Sequence, residues 1–92
     1  MTENDRTTAY MDEARFELND MLSRAAHHYR WNQIVEALAE VRTAIGKAQT
    51  IMELEACGIL SLDAYDSNWL FETHQKANRM NVKLCRILAE RD

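Results

Sequence analysis

The stretch ACGILSLDAYDSNWLF, from Ala56 to Phe71, contains the clearest break in the chain. Gly58 follows a long run of helical periodicity, and Ser61 and Asp63 come shortly after it. Glycine readily adopts the left-handed conformation that ends many helices, and serine is a favoured residue at a helix N-terminus. We therefore predict that one helix ends at Gly58 and that Ser61 caps the next, with Asp63 in its first turn.

The segments on either side of this corner have the apolar spacing of helices. Apolar side chains recur at intervals of mostly three and four residues, as they do along one face of an α-helix. The three seams consist of Met11, Ala14, Leu18, Met21, Ala25 and His28; of Ile34, Leu38, Val41, Ile45, Ala48 and Met52; and of Leu70, Thr73, Ala77, Met80, Leu84 and Ile87. We expect Phe16, Leu22 and Tyr29 to widen the first seam.

The boundary between the first two seams carries no glycine or proline. Continued beyond Tyr29, the first seam lands on the polar residues Asn32 and Gln33, so the phase changes within HYRWNQ. Asn32 is an acceptable N-cap, and a tight corner is predicted over residues 30–32. The alternative is one helix over about residues 8–57, whose apolar stripe a second chain covers.

The composition favours helices in a single small domain. The 92 residues include two glycines and no proline, which suits helix better than sheet. We predict one all-α domain over residues 1–92, an antiparallel three-helix bundle that oligomerises. Its helices are expected at about residues 8–29, 32–57 and 62–90, after a polar tail over residues 1–7.

Charge and apolar content exclude several classes of function. The net charge is −4, and an acidic chain is a poor general nucleic-acid binder because phosphate neutralisation supplies most of that affinity. No run approaches the roughly 18 apolar residues of a membrane span. Cys57 and Cys85 lack CxxC spacing and are expected to be reduced thiols. The sequence thus favours a cytoplasmic protein without membrane or direct nucleic-acid binding.

The residues that carry enzyme chemistry do not form a recognisable set. The histidines and cysteines have no HxxxH, CxxC or ExxH spacing, so no metal site is predicted. No nucleophile–base arrangement is evident, and we expect neither catalysis nor a cofactor. His28 is expected to be partly buried and hydrogen-bonded. Gly46, inside the second helix, is expected to pack closely against a neighbouring helix.

The corner carries more large apolar side chains than one core can accept. Consecutive helical residues point about 100° apart, so Trp69, Leu70 and Phe71 together cover about 200° of arc. Leu70 belongs to the inward seam, and we expect a partner to bury at least one of its neighbours. The alternative is a cluster that closes the bundle end. The predicted partner interface consists of Ile59, Leu60, Leu62, Tyr65, Trp69 and Phe71.

Two charged stripes accompany this surface, and each is either a solvated face or a docking surface. The acidic stripe is Glu13, Glu17 and Asp20, and the basic stripe is Lys76, Arg79, Lys83 and Arg86. The sequence favours a small acidic helical protein-interaction module without catalytic activity, acting by self-association or on a larger protein target.

Two alternatives remain open at this point. The acidic stripe fits an inhibitor, of the kind that phages and mobile elements encode, that occupies a basic surface of a nucleic-acid-handling complex. The basic stripe fits a transcriptional regulator whose corner between the second and third helices resembles a helix-turn-helix. Asp63 and Asp66, at the start of its would-be recognition helix, oppose phosphate contact.

Overall fold

The protein is a bundle of three α-helices. The computed structural model describes the backbone of residues 3–91 and the side chains of residues 6–91. Its helices are α1 (Glu3–Arg30), α2 (Ile34–Ala56) and α3 (Ala64–Arg91), and no strand occurs among the described residues. The bundle measures 52 × 20 × 17 Å. The prediction of an all-α three-helix bundle is confirmed, and residues 8–57 form two helices rather than one.

The N-terminus of α1 differs from the prediction. The helix begins at Glu3, so residues 3–7 are helical where a polar tail was expected, while residues 1 and 2 lie outside the described part. Thr7 is buried, and its Oγ1 accepts a hydrogen bond from the Ser61 backbone N–H at 3.3 Å. A contact with the distant α2–α3 connection therefore holds the first turns of α1 in place.

Helix α2 runs antiparallel to α1. The Arg24 guanidinium bonds to Glu40, and Lys47 lies 3.4 Å from the Glu17 carboxylate, so residue numbers rise along one helix as they fall along the other. These ion pairs connect the two helices across their interface, where partly exposed charges reinforce apolar packing rather than replace it.

Helix α3 returns alongside α2, so α1 and α3 run in the same direction. Ser67 bonds to Glu55 near the start of α3, and Arg42 donates to Asn81 further along it. Both outer helices pack along α2, while close backbone approach between α1 and α3 is rare. A groove therefore follows the junction of α1 and α3 on the side of the bundle away from α2.

The core is built on small residues of the central helix. The buried positions of α2 are Ile34, Ala37, Val41, Ala44, Ala48 and Ile51. Alanine at three of these positions lets both outer helices approach α2, and their leucines and methionine fill the space between. The buried hydrophobic residues outside α2 are Met11, Ala14, Leu18, Leu22, Ala25, Leu60, Leu70, Ala77 and Leu84.

The predicted seams agree with this core except at their edges. Leu22 is buried as expected, but Phe16 is 73% exposed and does not widen the first seam. In the second seam, Leu38, Ile45 and Met52 are only partly buried. The seam on α2 is rotated towards its alanines, because α2 must face α1 as well as α3.

The first corner ends α1 with Asn32 in the left-handed region, at φ 60°. Its backbone N–H bonds to the Tyr29 carbonyl at 3.1 Å, and the Gln33 N–H bonds to the His28 carbonyl at 2.8 Å. This pair of bonds is the Schellman motif. The predicted corner is confirmed, but Asn32 terminates α1 and does not cap α2, whose N-cap is Gln33 without a side-chain hydrogen bond.

The second corner repeats this motif at Gly58, which has a φ of 78°. The Gly58 N–H bonds to the Glu55 carbonyl at 3.0 Å and the Ile59 N–H to the Leu54 carbonyl at 2.9 Å. The predicted glycine cap is confirmed.

The predicted cap of α3 is wrong in position. Asp63 Oδ1 accepts the Asp66 N–H at 2.8 Å, so Asp63 caps α3 in the place assigned to Ser61. Ser61 lies before the helix, where its own N–H is bonded to the Thr7 hydroxyl. The cap therefore sits two positions later in the chain than the sequence pattern suggested.

Candidate protein-interaction surface

The predicted interface residues at the α2–α3 corner divide into buried and exposed members. Leu60 is 7% exposed and closes the end of the bundle, while Leu62 and Trp69 are partly buried against the core. Ile59, Tyr65 and Phe71 remain 61%, 71% and 57% exposed. Leu60 is thus covered by its own chain, and the exposed members of the set are the ones that a partner can contact.

Tyr65 and Phe71 occupy different sides of α3. They lie six positions apart, which turns their side chains about 120° apart on the helix. Tyr65 faces α1, because the Arg15 guanidinium lies 5.1 Å from its ring centroid. The two rings on α3 are therefore separate apolar points rather than parts of one continuous patch.

Arg15 organises the lower part of the junction between α1 and α3. Its guanidinium pairs with Asp66, lies 3.6 Å from Asp12, and also sits 5.6 Å from the Trp69 ring centroid. Cations over tyrosine and tryptophan faces gain electrostatic attraction from the rings. We call this region, with the exposed Asp63 and Glu72 beside it, the aromatic half; its residues are Asp12, Arg15, Asp63, Tyr65, Asp66, Trp69 and Glu72.

The upper part of the same junction is an open apolar groove with a basic margin. The groove has a volume of about 210 Å³ and is lined by Ala26, Tyr29, Met80, Lys83 and Leu84. The Lys83 Nζ lies 4.4 Å from the Tyr29 ring centroid. We call this region the basic half; it consists of these five residues and the rest of the basic stripe, Lys76, Arg79 and Arg86.

The basic stripe is not neutralised by any other side chain that the structure describes. All four of its residues are exposed, and none forms an ion pair with a carboxylate among the side chains of residues 6–91. Unpaired cations beside an apolar groove leave this half free to bind an acidic surface.

The acidic stripe, in contrast, is largely engaged with neighbouring cations. Asp20 pairs with Arg24, and Glu17 pairs with Lys47, so Glu13 is the member that projects freely. The hydrogen bond to Glu40 raises the pKa of Arg24. Burial lowers the pKa of Lys47, but Tyr10 and Glu17 outweigh that effect, and the net shift is upward. The Arg24–Glu40 and Lys47–Glu17 pairs join α1 to α2.

The remaining chemistry-bearing residues are dispersed. No group of three or more histidine, cysteine or acidic side chains is arranged to hold a metal ion within the described residues. His28 is partly buried and bonds to Gln33 at 2.7 Å, as predicted. Cys57 is exposed and Cys85 half-buried. Among the described helices, none has the length and apolar character needed to cross a membrane.

Several exposed apolar residues were missed by the sequence patterns. Trp31 and Val35 are exposed at the first corner, where the His27 and Trp31 ring centroids lie 6.2 Å apart, and Val82 is exposed on α3. Trp31 falls outside every seam, and this position was the signal in the sequence that could have indicated its exposure. Gly46 also differs from expectation: it is exposed, and a Cβ at this position would meet nothing within 4 Å.

Comparison with known proteins gives no relative from which a function can be transferred. The chain matches no protein-family model, no curated protein and no solved structure.

Proposed function

We propose that this protein is a non-enzymatic interaction module that binds other protein surfaces through the junction of α1 and α3. It acts by self-association or by docking on a larger protein. The observation that carries this function is the combination, on one side of the bundle, of an exposed Tyr65, an open apolar groove and four unpaired cations. Tyrosine and arginine are enriched among the residues that dominate binding energy.

A cytoplasmic location fits this function. Cys57 is exposed and Cys85 half-buried, and both thiols are free. Exposed free thiols persist in the reducing cytosol and are readily oxidised outside it.

Sedimentation velocity tests the proposed surface with a matched pair of aromatic variants. Tyr65→Ala removes a largely exposed ring on the α1 side of α3, and Phe71→Ala removes an exposed ring about 120° away. We expect Tyr65→Ala to lower the apparent mass while circular dichroism remains helical, and Phe71→Ala to sediment like the parent. An effect of Phe71→Ala alone would move the interface to the other side of α3.

Binding of nucleic acid by the basic stripe is a second candidate, supported by the absence of ion pairs to its four cations among the described side chains. The helix-turn-helix geometry gives it no support, since such helices cross at roughly 90–120°, whereas contacts near the start of α3 and further along it keep α2 and α3 side by side. Anisotropy with labelled random duplex DNA decides this, because phosphate-driven binding strengthens steeply as salt falls. No binding at low ionic strength rules out this function.

The inhibitor that uses an acidic stripe has weaker support. Glu17 and Asp20 are paired to cations of the same chain, so the stripe offers little unneutralised charge to a basic channel. A Glu13→Arg variant that lost binding to a captured nucleic-acid-handling complex would favour this alternative.

A further inference from the structure

We propose that two copies of the chain associate through the junction of α1 and α3 as an antiparallel twofold dimer. The aromatic half of each copy faces the basic half of the other. The dimer rests on the proposed function and names its partner as a second copy of this chain.

The distribution of charge along this face is complementary to itself. Asp12, Asp63 and Glu72 lie towards one end, and the basic stripe lies towards the other. Tyr65 and Lys83 are 18 positions apart, or about 27 Å along α3 at 1.5 Å per residue. A half-turn about an axis perpendicular to the helices exchanges the two ends, so acid meets base at both. A twofold interface is closed and uses the same patch twice.

The shapes of the two halves also differ in a way that fits this pairing. The aromatic half projects the exposed Tyr65 ring beside Trp69, whereas the basic half is concave, with about 210 Å³ between α1 and α3. Lys83 already lies against the Tyr29 ring on the groove wall. A second aromatic ring entering the groove meets apolar side chains and a cation that binds ring faces.

The size of the face suffices for a stable dimer. The bundle is 52 Å long and 17–20 Å wide, which offers an area on the order of 900–1,000 Å² per copy, against the ~800 Å² per partner of a standard interface. The acidic stripe lies on the α1–α2 side, where Glu17 and Asp20 are already paired with cations, and offers no comparable face.

The register of the dimer is set by placing the aromatic half over the groove. If Tyr65 and Trp69 of one copy lie opposite Lys83 and Leu84 of the other, the twofold axis passes near residue 75 of α3. Glu72 then faces Arg79 of the second copy, and each dimer contains this contact twice. Both residues are exposed and neither forms an ion pair within the described side chains.

Charge reversal at Glu72 and Arg79 tests the contact between two copies in a way that an effect within one chain cannot imitate. Glu72→Arg alone places two guanidinium groups together at both contacts, and Arg79→Glu alone places two carboxylates together at both. We expect each variant to weaken self-association at low ionic strength by roughly tenfold or more, measured by sedimentation equilibrium. In an equimolar mixture of the two variants, both contacts of the heterodimer pair an arginine with a glutamate, so its affinity should rise above that of either variant alone.

Glu13→Arg is the matched control, because it makes the same change on an exposed part of α1 outside the face, and we expect it to leave association unchanged. Circular dichroism confirms folding, and the milder pair Glu72→Gln and Arg79→Gln replaces any reversal that unfolds. The double variant Glu72→Arg with Arg79→Glu restores opposite charges at both contacts, and it should regain the parent's affinity.

Three results would overturn this dimer. If both single reversals associate as strongly as the parent, or if the double variant does not regain the parent's affinity, the register is excluded while the interaction function stands. A parent that stays monomeric at high micromolar concentration also overturns the dimer, and leaves docking on another protein as the surviving form of that function.

Discussion

The two corners of the bundle use one backbone motif in two different ways. In each, a residue with positive φ ends the helix and two backbone bonds close the Schellman turn. Asn32 occupies the left-handed position at the first corner and Gly58 at the second. Asparagine is one of the few residues other than glycine that visits this conformation readily, so both corners are chemically suited to the same turn.

The corners differ in the path of the chain after the turn. After Asn32, the chain starts α2 almost at once, and the motif's usual apolar contact is replaced by a hydrogen bond between His28 and Gln33. After Gly58, the connection to α3 buries Leu60 in the bundle end and bonds Ser61 to Thr7. The first corner is therefore a local turn, whereas the second is a part of the tertiary core.

The largest expected effect is at the second corner. Gly58→Val forces a β-branched residue to a φ of 78°, which we expect to lower the free energy of unfolding by about 2–3 kcal/mol. A Cβ meets nothing within 4 Å there, so backbone strain alone carries the loss. Urea denaturation measures it, and Gly58→Asn, which tolerates positive φ, should recover most of it. Equal losses for valine and asparagine would point to a steric clash instead.

Two substitutions at the same corner test whether Asp63 or Ser61 caps α3. Asp63→Ala removes the acceptor of the Asp66 N–H and should cost about 1 kcal/mol in denaturation. Ser61→Ala keeps the backbone bond to Thr7 and should change stability by less than about 0.5 kcal/mol. The reverse order of the two variants would return the cap to Ser61.

The chain's other glycine is a contrast to Gly58, because it lies in the interior of α2. Gly46 is exposed and has free space around its Cα. Gly46→Ala should therefore raise the free energy of unfolding by up to about 1 kcal/mol through helix propensity. Sedimentation provides the control: a loss of association in this variant would mean that a partner packs on the exposed face of α2.

The smallest expected effect is at the first corner. Asn32→Gly keeps the positive φ and loses the hydrogen bond that Asn32 accepts from Arg91, so thermal unfolding should show a change of only about a few tenths of a kcal/mol. Asn32→Ala is the comparison, since a residue with an ordinary Cβ resists this conformation by about 1–2 kcal/mol. Similar stability of the glycine and alanine variants would mean that the turn relaxes without the left-handed residue.

Local signals in the sequence predicted the parts of the fold that local chemistry controls. Three helical seams, the phase change at Asn32 and the break at Gly58 were all visible in the residue pattern. The start of α1 was not, because the polar residues before Thr7 resemble a tail, and it is the buried Thr7 hydroxyl that joins this turn to Ser61. The cap of α3 was misplaced for the same reason: this bond holds Ser61 outside the helix.

The candidate site was predicted only as separate pieces. Tyr65 and Trp69 were assigned to an interface and the four cations to a stripe, but the sequence joined neither to α1. Phe16 was expected inside because it is apolar, yet it faces away from the core. Sequence spacing sets the angle between residues on one helix and says nothing of which neighbouring helix they meet.

The sequence by itself determined three helices and two corners, because helical periodicity, a glycine at positive φ and a change of seam phase act over a few residues. Tertiary structure alone decided which side chains of α1 and α3 meet on the side of the bundle away from α2. This placed Arg15 against Tyr65 and Trp69, and Tyr29 beside Lys83. The physical reason is that burial of the α2 alanines brings both outer helices against one central helix, and the groove is the space left between them.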